Sequence, residues 1–195
     1  MITLQQANEL CTLAHENQWR RPRGMNKTDR ILFSDKLDSL SEEDDYDVDV
    51  YTINHHRFSW SEGAEEWFME EPYHTHPQAV AAMMNTEYRK ILALLHDVIE
   101  DTAYELTNCM VTKKCYIVMP DKEQYAISHD LYIDLELLTK DPNLTYRENI
   151  RRIKDSGRAD PIAVKIADNC NNLSTGTDKQ KERYLTVSLP ILLKD

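Results

Sequence analysis

Long stretches of the 195-residue chain repeat their apolar positions with the period of a helix. Leu4, Ala7, Leu10, Cys11 and Ala14 share one helical face, and Thr3 with Gln6 has the spacing of a capping box. His15 sits at the edge of that face and reads as a partly buried helix histidine rather than a ligand. Pro77 suits the first turn of a helix carrying Ala79, Val80, Ala82, Met83 and Met84, with His76 at its start. The connection through Asn85, Thr86 and Glu87 is short, so the next helix, Tyr88 to Ile99, packs beside it. Further helices are expected over Leu131–Leu138, ending at Thr139 and Lys140, and over Leu144–Ile153, with Arg147, Arg151, Arg152 and Lys154 on its polar side. Two more are expected, one from Asp160 through PIAVKIADNCNNLS and one over Asp178–Leu193. Cys115–Met119 is β-prone, Pro120–Glu123 turn-like and Gln124–Ser128 strand-like, which predicts one small hairpin. The expected fold is mainly α: a helical bundle with an all-helical core and a β-hairpin.

Residues 25–70 break this pattern. They include the acidic, partly alternating run SEEDDYDVDVY, whose Asp44, Asp45, Asp47 and Asp49 read as a solvated edge. Phe33, Tyr46, Tyr51, Phe58, Trp60, Trp67 and Phe68 argue against simple disorder, because aromatic rings seek burial. The stretch reads as a long insertion into a single domain spanning 1–195.

Composition narrows the classes. Hydrophobic residues make up 41% and charged residues 29%, enough for a core. No run of about 18 apolar residues is present, and MITLQQANEL lacks the basic and apolar regions of a signal peptide. The expectation is a cytoplasmic protein without membrane contact. Cys11, Cys109, Cys115 and Cys170 form no CxxC pair and no zinc-type spacing, so reduced, mostly buried thiols are expected. The net charge of −11, from 23 basic and 34 acidic residues, repels a nucleic-acid backbone. A small anionic substrate remains compatible if a metal ion and a few arginines make a local positive site. The densest basic cluster, Arg20, Arg21 and Arg23 beside Trp19, could stack on a base and pair with phosphate.

The chemistry concentrates in LALLHDVIEDT, Leu92 to Thr102. An apolar run delivers His96 and Asp97 together, and Glu100 and Asp101 follow within about one and a half helical turns. Charge on a buried element is costly unless it is paired, hydrogen-bonded or bound to metal. His76 at a helix start and Asp168 within the apolar face of Ile162, Val164, Ile166 and Ala167 raise the same problem. Two imidazoles and two carboxylates suit a divalent ion such as manganese, iron or zinc.

The order H…HD…D resembles the HD-domain phosphohydrolases. More closely, the chain is similar to the hydrolase domain of the RelA/SpoT homologue family and its small stand-alone alarmone hydrolases. AHENQWRR, EPYHTHPQAVAAMM, ALLHDVIEDT, LLTK, VKIADNCNNLST and DKQKERYL with Pro190 resemble family segments in the family's order. The resemblance covers the chain outside 25–70 and the hairpin. It implies that His76, His96, Asp97 and Asp168 bind manganese or another divalent ion, and that Glu100 and Asp101 work with the attacking water. It implies that Arg20 packs on the guanine base and that Arg21, Asn172 and Thr175 contact the nucleotide. The implied reaction is removal of the 3′-pyrophosphate from guanosine tetra- or pentaphosphate; some small members also take NADPH. Another HD-type phosphohydrolase, acting on a nucleoside monophosphate or NADPH, and a non-catalytic nucleotide-binding protein are the competing readings. Asn169 and Ser174 stand where the family usually carries arginines, which puts phosphate and base recognition in question. No phosphate-binding Gly-rich loop is visible, which favours hydrolysis over kinase chemistry. The insertion lies between Arg20 and His76, and is expected to form a lid or wall that alters substrate choice. No oligomeric state is indicated.

Overall fold

In a computed structural model of the chain, described over residues 1–20, 50–53, 56–61, 66–109 and 114–194, the protein is mainly helical and divides into two compact units. One unit comprises Met1–Glu16 and His74–Asp195, and the other Asn17–Tyr73.

The larger unit is built on an apolar central helix. Helix α1, Leu4–Ala14, starts at Thr3 with a complete capping box and buries Ala7, Leu10 and Cys11. Helix α2, Thr75–Ala82, buries His76, Pro77, Val80 and Ala81. Helix α3, Glu87–Leu95, is capped by Thr86 and buries five successive residues, Ile91 to Leu95. An amphipathic surface helix cannot bury consecutive positions; this one can because neighbours cover it on several sides. Helix α1 and helix α2 pack against it, as do α5, His129–Leu138, and α7, Ala159–Asn172. Leu92, fully buried in α3, anchors this core. Leu92→Ala is expected to cost about 2–5 kcal/mol through lost burial and a residual cavity, read as a lowered midpoint in urea unfolding.

Helix α3 stops earlier than its apolar periodicity predicts. It ends at Leu95, His96 and Asp97 form a turn, and a separate short helix α4 runs Val98–Asp101. The Asp101 amide closes α4 on the Asp97 carbonyl at 2.9 Å. Periodicity records which positions are buried, not whether the backbone bonds between them continue.

The predicted hairpin is a three-stranded antiparallel sheet, ordered β5 (Glu105–Cys109), β6 (Lys114–Val118), β7 (Gln124–Ile127). Its register pairs Cys115 with Ile127 and Ile117 with Tyr125 on one side, and Leu106 with Ile117 on the other. Strand β5 escapes a pattern reading because it is an edge strand with largely exposed side chains. Cys115, Ile117 and Ile127 enter the main hydrophobic cluster, so the core is not made by helices alone. Cys11 and Cys115 are buried, whereas Cys109 and Cys170 are exposed.

The C-terminal part follows the expected order. Helix α6, Tyr146–Asp155, begins in a capping box between Thr145 and Glu148. After α7 comes α8, Asp178–Arg183, then one π-helical turn, Tyr184–Ser188, then α9, Leu189–Leu192. Pro190 has no N–H to return to the preceding turn, and the predicted single helix widens ahead of it.

The smaller unit holds a four-stranded antiparallel sheet in the order β1–β4–β3–β2: Trp19–Arg20, Glu66–Pro72, His56–Ser61 and Val50–Ile53. The described part of the 25–70 stretch is therefore strand, with Trp60 paired to Trp67 in the ladder. The acidic run lies outside the described residues except for Val50 and Tyr51, which fall in β2.

Candidate metal centre

Three elements of the larger unit bring the candidate ligands together. His76 lies in the first turn of α2, His96 and Asp97 in the α3–α4 turn, and Asp168 on α7. All four are buried. His76 Nε2 is 3.1 Å from Asp168 Oδ1 and 3.4 Å from Asp97 Oδ2. His96 Nε2 is 3.0 Å from Asp97 Oδ1 and 3.8 Å from Asp168 Oδ1. The ligand atoms of His76, His96 and Asp97 all lie within 4.8 Å of one another.

The break after Leu95 aims His96. Its Nδ1 lies 2.7 Å from the Ala93 carbonyl, an oxygen that can only accept, so Nδ1 carries a proton. Nε2, the atom facing the carboxylates, is buried and makes no hydrogen bond of good geometry among the described residues. A buried imidazole nitrogen set within ion-pair distance of two carboxylates, but off the line of a hydrogen bond, is compatible with a ligand prepared for a cation. The donor set, two nitrogens and two carboxylates, fits a borderline-to-hard divalent ion.

Charge within the centre is unevenly distributed. Burial pushes the His96 pKa down, but Asp97 and Asp168 outweigh it and lift it to about 9. Burial would raise the Asp168 carboxyl, yet Lys165, His76 and His96 hold it well below the usual carboxylate range. Lys165 Nζ donates to Asp168 Oδ2 at 2.8 Å, and Asn172 Nδ2 donates to Asp168 Oδ1 at 2.6 Å.

The acidic pair stands on α4. Glu100 and Asp101 are exposed at the end of the turn that carries the ligands. Desolvation of its carboxylate, together with Asp97 and Asp101, raises the Glu100 pKa against the lowering effect of Lys165 and Lys140.

The expected nucleotide contacts have mixed placements. Asn172 is half-buried and its amide is bonded to Asp168. Thr175 follows α7, with its amide on the Asn172 carbonyl at 3.3 Å. A Cβ at Gly176 would meet that same carbonyl at 2.9 Å, so this tight exit from α7 requires glycine. Arg20 lies in β1 with its backbone paired to Glu71; its side chain and all of Arg21 lie outside the described residues. Asn169 is fully buried and donates to Ser188 in the π turn, and Ser174 is exposed and bonded to the Asn171 carbonyl. His15, expected at the edge of a face, is fully buried at the end of α1.

Several residues at or near the centre escaped the sequence reading. Lys165 sits one turn before Asp168, a spacing that offers a signal in hindsight. Asn171 and Tyr184 give no such signal. Burial and Asp168 both raise the Tyr184 hydroxyl, which places it within electrostatic reach of the centre. The Arg183 guanidinium lies 4.2 Å from the Tyr146 ring centroid and 5.8 Å from that of Tyr184.

Compared with protein-family models and with curated proteins, the sequence matches none of them. Among the described residues, no helix is long and apolar enough to cross a membrane.

Proposed function

We propose that the protein is a metal-dependent HD-type phosphohydrolase that removes the 3′-pyrophosphate of guanosine tetra- or pentaphosphate. One observation carries the metal reading: His76 and His96 turn their Nε2 atoms onto Asp97 and Asp168 in a buried site, and His96 Nε2 finds no well-formed hydrogen bond there. The substrate class rests on the motif resemblance of ALLHDVIEDT and its companion segments.

His76, His96, Asp97 and Asp168 would hold the ion, manganese in the first instance. A divalent ion so bound supplies Lewis acidity toward a phosphoryl oxygen and a lowered pKa for water. The chain's own groups supply the rest. Water adds across the ester bond at the 3′ oxygen, so that guanosine tetraphosphate gives GDP and pyrophosphate. Glu100, with its raised pKa, is suited to take the proton released by the attacking water and return it to the leaving oxygen. Asp101, beside it on α4, orients the water. Arg183, held over Tyr146 and without a carboxylate partner among the described residues, offers a planar donor to phosphate.

One observation favours a different nucleotide, such as NADPH or a nucleoside monophosphate. Asn169 is turned into the core onto Ser188, so it brings no cation to the substrate. A single assay separates the readings: guanosine tetraphosphate, NADPH and deoxynucleoside monophosphates, each offered with manganese and again with a chelator. The expected result is GDP and pyrophosphate from the first substrate, with manganese only. Cleavage of another substrate alone would keep the metal site and overturn the alarmone assignment. No cleavage of any would favour a nucleotide-binding protein without turnover.

A further inference from the structure

Every histidine that ligates a metal has a second nitrogen, and what that nitrogen touches decides which tautomer the ring adopts. For His96 the partner is a backbone carbonyl of its own helix, which no side-chain substitution can alter. For His76 it is a side chain 95 residues away. His76 Nδ1 lies 2.9 Å from Asn171 Oδ1, with both residues buried.

We infer that Asn171 is a positioning residue for the metal centre: its amide oxygen engages His76 Nδ1 and so fixes Nε2, which faces Asp168 Oδ1 at 3.1 Å, as the nitrogen presented to the ion. The inference rests on the metal reading above and names a residue outside its ligand set. Three observations support it. Asn171 is only 4% exposed, so no water competes freely for its oxygen. Its Nδ2 is buried and has no hydrogen-bond partner among the described residues, so the side chain bears an unsatisfied donor while its oxygen holds His76. Leaving such a donor unpaired is unfavourable, a cost that a small apolar residue would avoid. The position also follows from helix geometry. Asn171 and Asp168 are three apart on α7, so one face of one helix presents a ligand and the group that orients its neighbour.

Asparagine differs from aspartate here in a way that matters. A carboxylate at this position would add a third negative charge to His76, which already faces Asp97 and Asp168. A neutral acceptor fixes the ring without that charge. The ring plane is set as well, because the acceptor and the two carboxylates hold its opposite ends.

The test is divalent-ion affinity, measured by titration calorimetry with zinc and with manganese on the full chain. Asn171→Leu removes the acceptor and fills similar volume; a 10–100-fold weakening is expected. Asn171→Asp keeps an acceptor at the same place and is expected to bind at least ten times more tightly than the leucine variant. Unchanged affinity in a folded Asn171→Leu protein would overturn the inference and leave the metal reading intact. Absence of ion binding by the unsubstituted protein would overturn both. If the leucine variant does not fold, the unsubstituted zinc-loaded protein decides the matter. Long-range nitrogen–proton correlation spectra of His76 should show the proton on Nδ1; a proton on Nε2 would refute the assignment.

Discussion

Asp97→Ala is expected to lose divalent-ion binding and, with it, hydrolysis. Asp97 meets both histidines, at 3.0 Å from His96 Nε2 and 3.4 Å from His76 Nε2. Without an ion to lower the pKa of water, far less hydroxide is available near neutral pH, so a fall in turnover of at least about 10³-fold is expected. The turn itself should survive, because the Asp97 backbone carbonyl, not its side chain, closes α4 on Asp101. Near-ultraviolet circular dichroism would then resemble that of the unsubstituted protein while calorimetry shows no ion uptake. Full activity in this variant would refute the ligand assignment.

The second large effect is on stability. Asp134 is buried on α5 and held by two side chains, Tyr88 and Arg158. Tyr88 donates to it at 2.7 Å, Arg158 Nε donates to its other oxygen, and Arg158 also reaches Asp130 at 3.2 Å. Its side chain is 1% exposed, whereas that of Arg158 is 33% exposed. Removing the arginine therefore leaves a buried carboxylate with one neutral partner. Arg158→Met is expected to cost about 3 kcal/mol, near the lower end for a broken buried pair because the guanidinium is partly in water. The double variant Asp134→Leu/Arg158→Met should recover much of that loss, since two apolar groups leave no unpaired charge. Urea unfolding of both proteins reads the difference. A loss below about 1 kcal/mol in the single variant would mean that the pair behaves as a surface ion pair. Arg158 stands at the N-cap of α7, ten residues before Asp168, so ion affinity should be little changed.

What the sequence determined is the inventory of buried helical faces and the residues that cannot sit on them without cause. Thr3, Thr86, Thr145 and Thr177 cap their helices through side chains, a local interaction within three residues. The run Ile91–Leu95 announces a core helix by composition alone, and His96, Asp97 and Asp168 stand out against apolar surroundings. The mainly helical class follows from such short-range patterns.

Tertiary structure decided the rest. The turn at His96 and Asp97 divides one periodic segment into two helices, and only its contacts with His76 on α2 and Asp168 on α7 give it a purpose. The exposed edge strand β5 carries no inward pattern, so its pairing with β6 had to be seen. Strands β2 to β4, within a stretch read from its sequence as an insertion of unassigned structure, exist through ladder hydrogen bonds between separate segments. The bond from His76 to Asn171 spans 95 positions, and Asn169 could face substrate or core until its contact with Ser188 placed it inside. A periodic sequence specifies which face of an element is buried. Which side chain meets which across the core depends on the packing of whole elements, and there the second nitrogen of a histidine finds its partner.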